Sequence, residues 1–399
     1  MNDSEKHIEF YDVVIVGGGM VGAAQAQALL KQQKRVLLVE SVPPKAEWLE
    51  TVPLRVSAIN LFSEAFLEEV GIWQHITPAS KCMFDTLATW DSPSQKLIFS
   101  ADEIQKPYLG HLIRNEALQL AAYNAFENAL SENKLSITDA RVQSIENNGD
   151  SVFLDLQGET SRSRVKTHLL IAADGANSMC RKLAGIGITG WDYAQHCFSI
   201  TIKTRFPTQS ITWQEFQPSG PKAFLPLEDG YACLIWYDHP NVISGLKSLS
   251  DSELKSRILG VFPPLAGDFD VIKHASFPLT RRQANSYFKN RVVLAGDAAH
   301  TINPLAGQGV NLGYKDVSCL TELLSEVDLS DTDQLRVTLS KYERRQKYQA
   351  KTMSGMMDLC YKVFSNSNAP LARIRSGILG LANKAAAPKK WVLKKSTGY

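Results

Sequence analysis

The sequence predicts an α/β fold: a parallel-sheet domain, interrupted by a mainly antiparallel sheet and followed by a helical segment. Three observations carry this. Two short apolar strands, at 11–16 and 292–295, each run into glycines and then into a helical pattern, as a buried parallel strand feeding a helix does. Residues 186–290 change character, with aromatic-rich, strand-like runs at 198–203, 212–216, 223–227 and 231–237 around one helix near 251–260. From 316 onward the chain reads as helix, punctuated by Pro370 and Pro388.

The first strand, YDVVIV at 11–16, meets a GxGxxG pattern at Gly17, Gly19 and Gly22. Residues 23–30 have helical composition, and RVLLVE at 35–40 is a second strand ending in Glu40. This is a dinucleotide fingerprint in its Rossmann-like context. Gly17 permits the tight turn, Gly19 lets a pyrophosphate approach, and Gly22 lets helix pack on strand. Glu40 is placed to accept hydrogen bonds from an adenosine ribose. The motif by itself fits FAD and NAD alike.

A proline-containing loop, 41–55, ends at Arg55, which reads either as a surface charge or, directly after the loop leaving the nucleotide strand, as a contact to phosphate or ribose. Ser57 is expected to cap a helix reaching about Val70 and stopped by Gly71. Strand-like pieces lie at 86–90 and 96–99. Arg114 then opens a helix, and a cation at that end opposes the macrodipole, which favours a ligand-facing role. Strands are expected at 136–146, 151–156 and 165–172, with Asn148-Gly149 as a hairpin signal between the first two. The last runs into Asp174-Gly175, with Ser178 and Arg181 following at a helix start, a DGxxSxxR spacing.

The stretch 291–316, RVVLAGDAAHTINPLAGQGVNLGYKD, repeats the strand-to-helix theme. Asp297 stands at the strand's end and His300 closes GDAAH. Pro304, Gly307, Gln308 and Gly309 then form a glycine-rich loop. This geometry lets backbone N–H groups and a helix N-terminus approach an electron-rich ligand closely.

Composition narrows the function classes. The six cysteines are scattered with no CxxC pair, which argues against zinc or a disulfide framework and suits a reducing cytoplasm. No signal peptide is visible, and no window approaches the roughly 20 apolar residues of a membrane span. The net charge of +2 hides an asymmetry. Residues 344–399 hold 12 Lys/Arg and one acid, +11, leaving 31 basic and 40 acidic residues, −9, in 1–343. The basic segment is expected to pack on the body and to contact an anionic membrane or a partner protein. Nothing points to nucleic acid.

GxGxxG with Glu40, the Asp174-Gly175-Ser178-Arg181 motif and GDAAHTINPLAGQGVNLG at 296–313 stand in that order. Together they resemble the FAD-dependent aromatic hydroxylases of the para-hydroxybenzoate hydroxylase type (class A flavin monooxygenases) over roughly residues 8–345. RVSAIN at 55–60 and INPLAGQGVNLG resemble the ubiquinone-biosynthesis branch. WQEFQPSGPKAFLPL at 213–227, WYDHP at 236–240 and FPLTRR at 277–282 are most similar to members acting on 2-polyprenyl-3-methyl-6-methoxy-1,4-benzoquinol.

The resemblance implies an FAD-binding domain in three parts, 1–80, 113–185 and 291–345. It implies a substrate domain at 81–112 and 186–290, with a basic helical segment at 346–399. It also implies roles. Gly17, Gly19 and Gly22 hold the FAD pyrophosphate and Glu40 the adenosine ribose. Arg55 and Arg114 contact the ribityl–phosphate region. Val142 meets the adenine side by its backbone, and Asp297 binds the ribityl chain. Backbone amides at Gly307, Gln308 and Gly309 face the flavin pyrimidine ring. Asp174 and Arg181 serve the FAD and pyridine-nucleotide region. His300 and Pro304 are the candidates nearest the chemistry, His300 more as a structural or flavin-side group than as a base.

The implied reaction is ring hydroxylation with NADPH or NADH and O₂, through a flavin C4a-hydroperoxide. The implied partners are a polyprenylated quinol, O₂ and a quinone-biosynthesis complex. The implied location is cytoplasmic, peripheral on the inner membrane. A related hydroxylase acting at another ring position or on a soluble phenol, and an FAD-bearing scaffold, are the competing readings. A flavin halogenase is disfavoured by the lack of a WxWxIP segment.

Overall fold

Five parallel strands form the frame on which the rest is hung. The computed structural model describes residues 8–92, 96–302, 307, 309–364, 389–390, 393–394 and 397–398, without the side chains of 128, 356 and 359–364. Strand β1 (Glu9–Val16) is apolar because both its faces are covered; Val13, Val14 and Ile15 are fully buried. It pairs in parallel with β2 (Val36–Val39) on one side and with Arg162–Ala172 on the other. Leu135–Thr138 continues the sheet beyond β2, and Val292–Leu294 continues it beyond Arg162–Ala172, both parallel. Strand order therefore reverses at β1. Open α/β sheets bind ligands at such a switch point, outside the carboxyl ends of the strands.

Helix α1 (Met20–Lys31) lies against the helix Gly309–Leu324. The approach needs Gly313, where a Cβ would come within 2.6 Å of Val21. Gln25 and Gln32 both donate to Thr321 across the pair, at 3.0 and 2.9 Å. The long helix Thr332–Phe364 closes the domain, burying Leu335, Leu339, Tyr342 and Ala350. The Tyr342 hydroxyl donates to Leu294 O at 2.9 Å.

The second sheet has eight strands, in the order His300–Thr301, Phe269–Ala284, Ile188–Thr204, Tyr231–Asp238, Lys222–Pro226, Ile211–Glu215, Thr86–Trp90, Leu97–Ser100. Neighbours are antiparallel except Ile211–Glu215 with Thr86–Trp90, matching the mainly antiparallel insertion that the sequence predicts. Helices Pro240–Lys247 and Asp251–Val261 cover one face, packing Ile243, Leu246, Leu254 and Ile258 on Phe198, Ile200, Trp213 and Trp236. The other face meets a three-stranded sheet of Val56–Asn60, Gly110–Arg114 and Lys81–Phe84. The stretch 81–112 is thus divided between two sheets. The five described cysteines are all buried and reduced.

Several local expectations are corrected. Ser57 caps no helix: residues Val56–Asn60 bury at strand period and pair with Gly110–Arg114. The helix is Leu61–Glu69, and its cap is Asn60, whose Oδ1 accepts from the Ser63 N–H at 3.0 Å. The strand expected at 136–146 is two strands that turn at Asp139. Leu135–Thr138 joins the parallel sheet and Ala140–Asn147 pairs antiparallel with Val152–Gly158. The one helix near 251–260 is two. Pro240 at a first-turn position starts one, and a Ser250–Glu253 capping box starts the next. Residues 365–388, with Pro370 and Pro388, lie outside the described residues.

Arg291 is the polar centre of this frame. It is 1% exposed. Its guanidinium donates to Gly149 O, His168 O, Leu329 O, Ser330 O and Thr332 Oγ1 at 2.5–3.1 Å. It thereby joins the hairpin, the strand Arg162–Ala172 and the start of the long helix. Arg291→Met should strand these acceptors and lower the unfolding free energy by at least about 3 kcal/mol, read by urea denaturation. A loss under about 1 kcal/mol would show that water replaces the guanidinium.

Candidate functional site

The strand ends gather the motif residues on one edge of the parallel sheet. Gly17 follows β1, Glu40 follows β2, Asp174 follows Arg162–Ala172, and Gly296-Asp297 follow Val292–Leu294. Backbone bonds join these turns side by side. Gly17 N donates to Val39 O at 2.8 Å, Ala173 N to Val16 O at 2.8 Å and Ala295 N to Ala172 O at 2.9 Å.

The three fingerprint glycines do different work. Gly17 has φ +100°, and a Cβ there would stand 2.3 Å from Ala173 O. A Cβ on Gly22 would stand 1.8 Å from Gly17 O. Gly19 has nothing within 4 Å of the corresponding position. It is the N-cap of α1, with no side chain capping the first N–H groups and no acid in the first turn. Gly309, which opens the neighbouring helix, also faces open space, again with no acid in the first turn. The Gly19 end of α1 thus presents an uncapped positive end, and the start of the neighbouring helix carries no acid in its first turn, as an anionic ligand favours.

Around them the carboxylates are arranged in different ways. Glu40 accepts from Gly18 N at 2.7 Å and Val42 N at 2.9 Å, which fixes its orientation. Asp174 Oδ2 accepts from Cys180 N at 3.0 Å, while its Oδ1 is buried without a partner among the described residues. Asp297 is exposed in the cleft. Dense protein on its other sides still raises its pKa, desolvation outweighing the pull of His300 and Arg55. Arg55, exposed, lies near enough for its charge to pull that pKa down.

Other expected site residues are committed to structure. Arg114 donates to Leu49 O, Trp48 O and Thr51 O at 2.6–3.0 Å, so its guanidinium braces the loop before Arg55. Arg181 is buried and donates to Ala298 O at 3.0 Å and Ala176 O at 3.1 Å, tying two motif loops together. Val142 is buried in the core at a register shift opposite Leu156. His300 is buried, with Nε2 2.6 Å from Asp316 Oδ2. Gly307 takes φ +63° beside Ala58. Pro304 and Gln308 lie outside the described residues.

Some contributors went unread in the sequence. Asn311 is buried; its Oδ1 accepts from Asn60 N at 3.1 Å and its Nδ2 donates to Ala58 O at 2.7 Å. It locks the second helix start to the strand behind Arg55. The Tyr123 hydroxyl is buried beside Gly18 without a partner, and burial, helped by Glu40, raises its pKa. On the second sheet, Ser199 Oγ donates to Leu54 O at 3.1 Å and Thr201 Oγ1 to Pro53 O at 2.5 Å. The sheet thus holds the residues that lead into Arg55. Beyond them lies an apolar cluster of Cys197, Tyr237 and Leu279, with Tyr193, Ile235 and Phe277 packed against it.

The model of the FAD binding domain family matches residues 10–354. The chain belongs to that family. It is 36% identical over 389 residues to the 3-demethoxyubiquinol 3-hydroxylase of Escherichia coli (strain K12), covering 97% of this chain and 98% of that one. It is 31% identical to the mitochondrial ubiquinone biosynthesis monooxygenase COQ6 of Rattus norvegicus, covering 96% and 90%. Among solved structures it resembles the p-nitrophenol 4-monooxygenase PnpA of Pseudomonas putida DLL-E4, with TM-score 0.80, 19% identity and coverage of 98% and 99%. The chain is an FAD-dependent monooxygenase. The site fits that cofactor: an open glycine at the start of α1 suits an anionic pyrophosphate, and Asp174 keeps a buried oxygen without a partner among the described residues.

Two predictions test this geometry. Gly19→Ala should change apoprotein stability by no more than about 1 kcal/mol and weaken FAD at least about tenfold, or 1.4 kcal/mol. Gly22→Ala should lower the apoprotein melting temperature itself. Equal effects on both would remove Gly19 from the ligand side.

The second concerns Asp297. Its folded pKa lies above its unfolded one, so its contribution to stability is present below pH ~4 and is lost as pH rises through the raised value. Asp297→Asn should therefore make the apoprotein relatively more stable at pH 7 than at pH 4, while weakening FAD. An unchanged difference between variant and wild type across that range, followed by thermal melting, would contradict the raised pKa.

Proposed function

We propose that this enzyme hydroxylates the ring of a polyprenylated benzoquinol in ubiquinone biosynthesis, taking electrons from NADPH or NADH and oxygen from O₂. The observation that carries the reading is the full-length likeness to the E. coli 3-demethoxyubiquinol 3-hydroxylase. The apolar cluster of Cys197, Tyr237 and Leu279 on the second sheet is assigned to the ring's side of the site.

When bound, FAD supplies the oxygen-activating chemistry that no side chain provides. The chain supplies position and dryness. Gly17, Gly19, Gly22 and Glu40 are assigned the adenosine and pyrophosphate end. Asp297 and Arg55 are assigned the ribityl–phosphate region, and Gly307 and Gly309 the ring end. Cys197, Tyr237 and Leu279 offer no charge to the substrate ring and keep water from it. The quinol hydroxyl donates its own electron density, so the protein needs no nucleophile. His300, turned onto Asp316, is assigned to holding the loop rather than to proton transfer.

The substrate's prenyl chain implies contact with a membrane or a quinone-biosynthesis complex. The +11 charge of residues 344–399 supports that contact on the inner membrane's cytoplasmic face. Among the described residues no helix is long and apolar enough to cross a membrane.

The test is mass spectrometry of quinone intermediates in a host lacking its own ring hydroxylase. This chain should convert the accumulated prenylated quinol to the product bearing one more hydroxyl, and Asp297→Ala should not. Persistence of the intermediate despite a flavin-loaded enzyme would defeat the reading.

A further inference from the structure

The long helix Thr332–Phe364 has two unlike faces. Its inner face is bound to the parallel sheet through Leu335, Leu339 and Tyr342. Its outer face is basic over two turns and more. Arg336, Lys341, Arg344, Arg345 and Lys351 are all exposed there, against one exposed acid of the helix, Asp333. Arg336 pairs with Asp333 at 3.5 Å and Arg345 with Glu322 at 3.2 Å. Lys341, Arg344 and Lys351 have no carboxylate partner among the described residues. Arg336, Val337, Ser340, Lys341 and Arg344 line an open groove of 390 Å³.

The same face shows apolar surface at two places. Tyr348 is 73% exposed and Val337 is 49% exposed. From 337 to 351 the face runs about 21 Å along the axis at 1.5 Å per residue. An aromatic ring and an aliphatic side chain set among unpaired cations match the boundary of an anionic bilayer, where rings lie at headgroup level and cations meet phosphate.

The geometry points to this outer face as the docking surface for an anionic lipid membrane, with Lys341, Arg344 and Lys351 on headgroup phosphates and Tyr348 inserted between them. The inference rests on the prenylated-quinol reading and refines where the contact lies. The folded helix body, and not only the segment after it, carries the charge. Further along, Asp358 accepts from Tyr193 Oη at 2.6 Å and pairs with Arg281, both on the second sheet. A bilayer held on this helix therefore lies beside the sheet that floors the substrate site.

The experiment is flotation of the holoenzyme with phosphatidylglycerol–phosphatidylcholine vesicles and with phosphatidylcholine vesicles, at about 0.1 M salt. The wild type should float with the anionic vesicles only, and release as salt rises. Lys341→Glu, Arg344→Glu and Lys351→Glu combined should weaken flotation roughly a hundredfold or more, at about 1 kcal/mol per charge. Tyr348→Ser should weaken it further. Flavin content, melting temperature and turnover of a short-chain, water-soluble quinol should stay at wild-type values.

Undiminished flotation of the triple variant would overturn the proposal, as would equal binding to neutral vesicles. So would a triple variant that changes oligomeric state by size exclusion, which would make the face a contact between copies. Loss of quinol turnover with flotation intact would instead count against the substrate reading alone.

Discussion

The buried contact between His300 and Asp316 joins three structural elements within residues 282–324. Asp316 belongs to the helix that starts at Gly309, and its Oδ2 also accepts from Gly296 N at 2.9 Å. His300 lies on a two-residue strand that pairs with Gln283 and Arg282 of the second sheet. One carboxylate therefore holds the turn that carries Asp297, the helix that starts at Gly309, and the edge of the second sheet. Burial alone would push the His300 pKa down, but the Asp316 charge and hydrogen bond, with Asp297 beyond, bring it above its ordinary value. The pair thus keeps its proton where a bare buried imidazole would shed it. A buried pair of this kind is costly to desolvate and costlier to break, which suits a joint that must hold one geometry.

That joint explains a division among the motif residues. Those that face the cleft, such as Gly19, Asp297 and Gly309, are left open. Those behind them, Arg181, Asn311 and Asp316, are buried and bonded to backbone. The open group is free to meet a ligand, and the buried group fixes the geometry of the loops that carry it.

The parallel frame was legible because its signals are local. A strand buried on both faces, followed by Gly17-x-Gly19-x-x-Gly22, can be read within one window of sequence. The second sheet was legible in kind but not in extent. Ile188–Thr204 and Phe269–Ala284 are 17 and 16 residues long, and no local alternation marks a strand that leaves one neighbour's environment for another's. Ser57 misled because a hydroxyl before an apolar run is a good cap, and only pairing with Gly110–Arg114 makes that run a strand. At Arg114 a cation at a helix start invites a ligand, and the carbonyls of 48, 49 and 51 that its terminal nitrogens bond could not be read from the sequence. Asp316 and Asn311 carried no warning beyond lying in the glycine-rich stretch, since their partners are 16 and 251 residues away.

The cysteines bear on how such an enzyme survives its own chemistry. A reduced flavin exposed to oxygen without substrate leaks hydrogen peroxide, and the first target of peroxide is the thiolate. Here burial pushes the Cys82 thiol up to about 12 and the Cys233 thiol up to about 11, and it raises those of Cys180, Cys197 and Cys319 as well. Cys197 and Cys233 stand on neighbouring strands of the second sheet, yet they present protonated, shielded sulfur. The packing of the core also makes the five described cysteines poor targets for such a by-product.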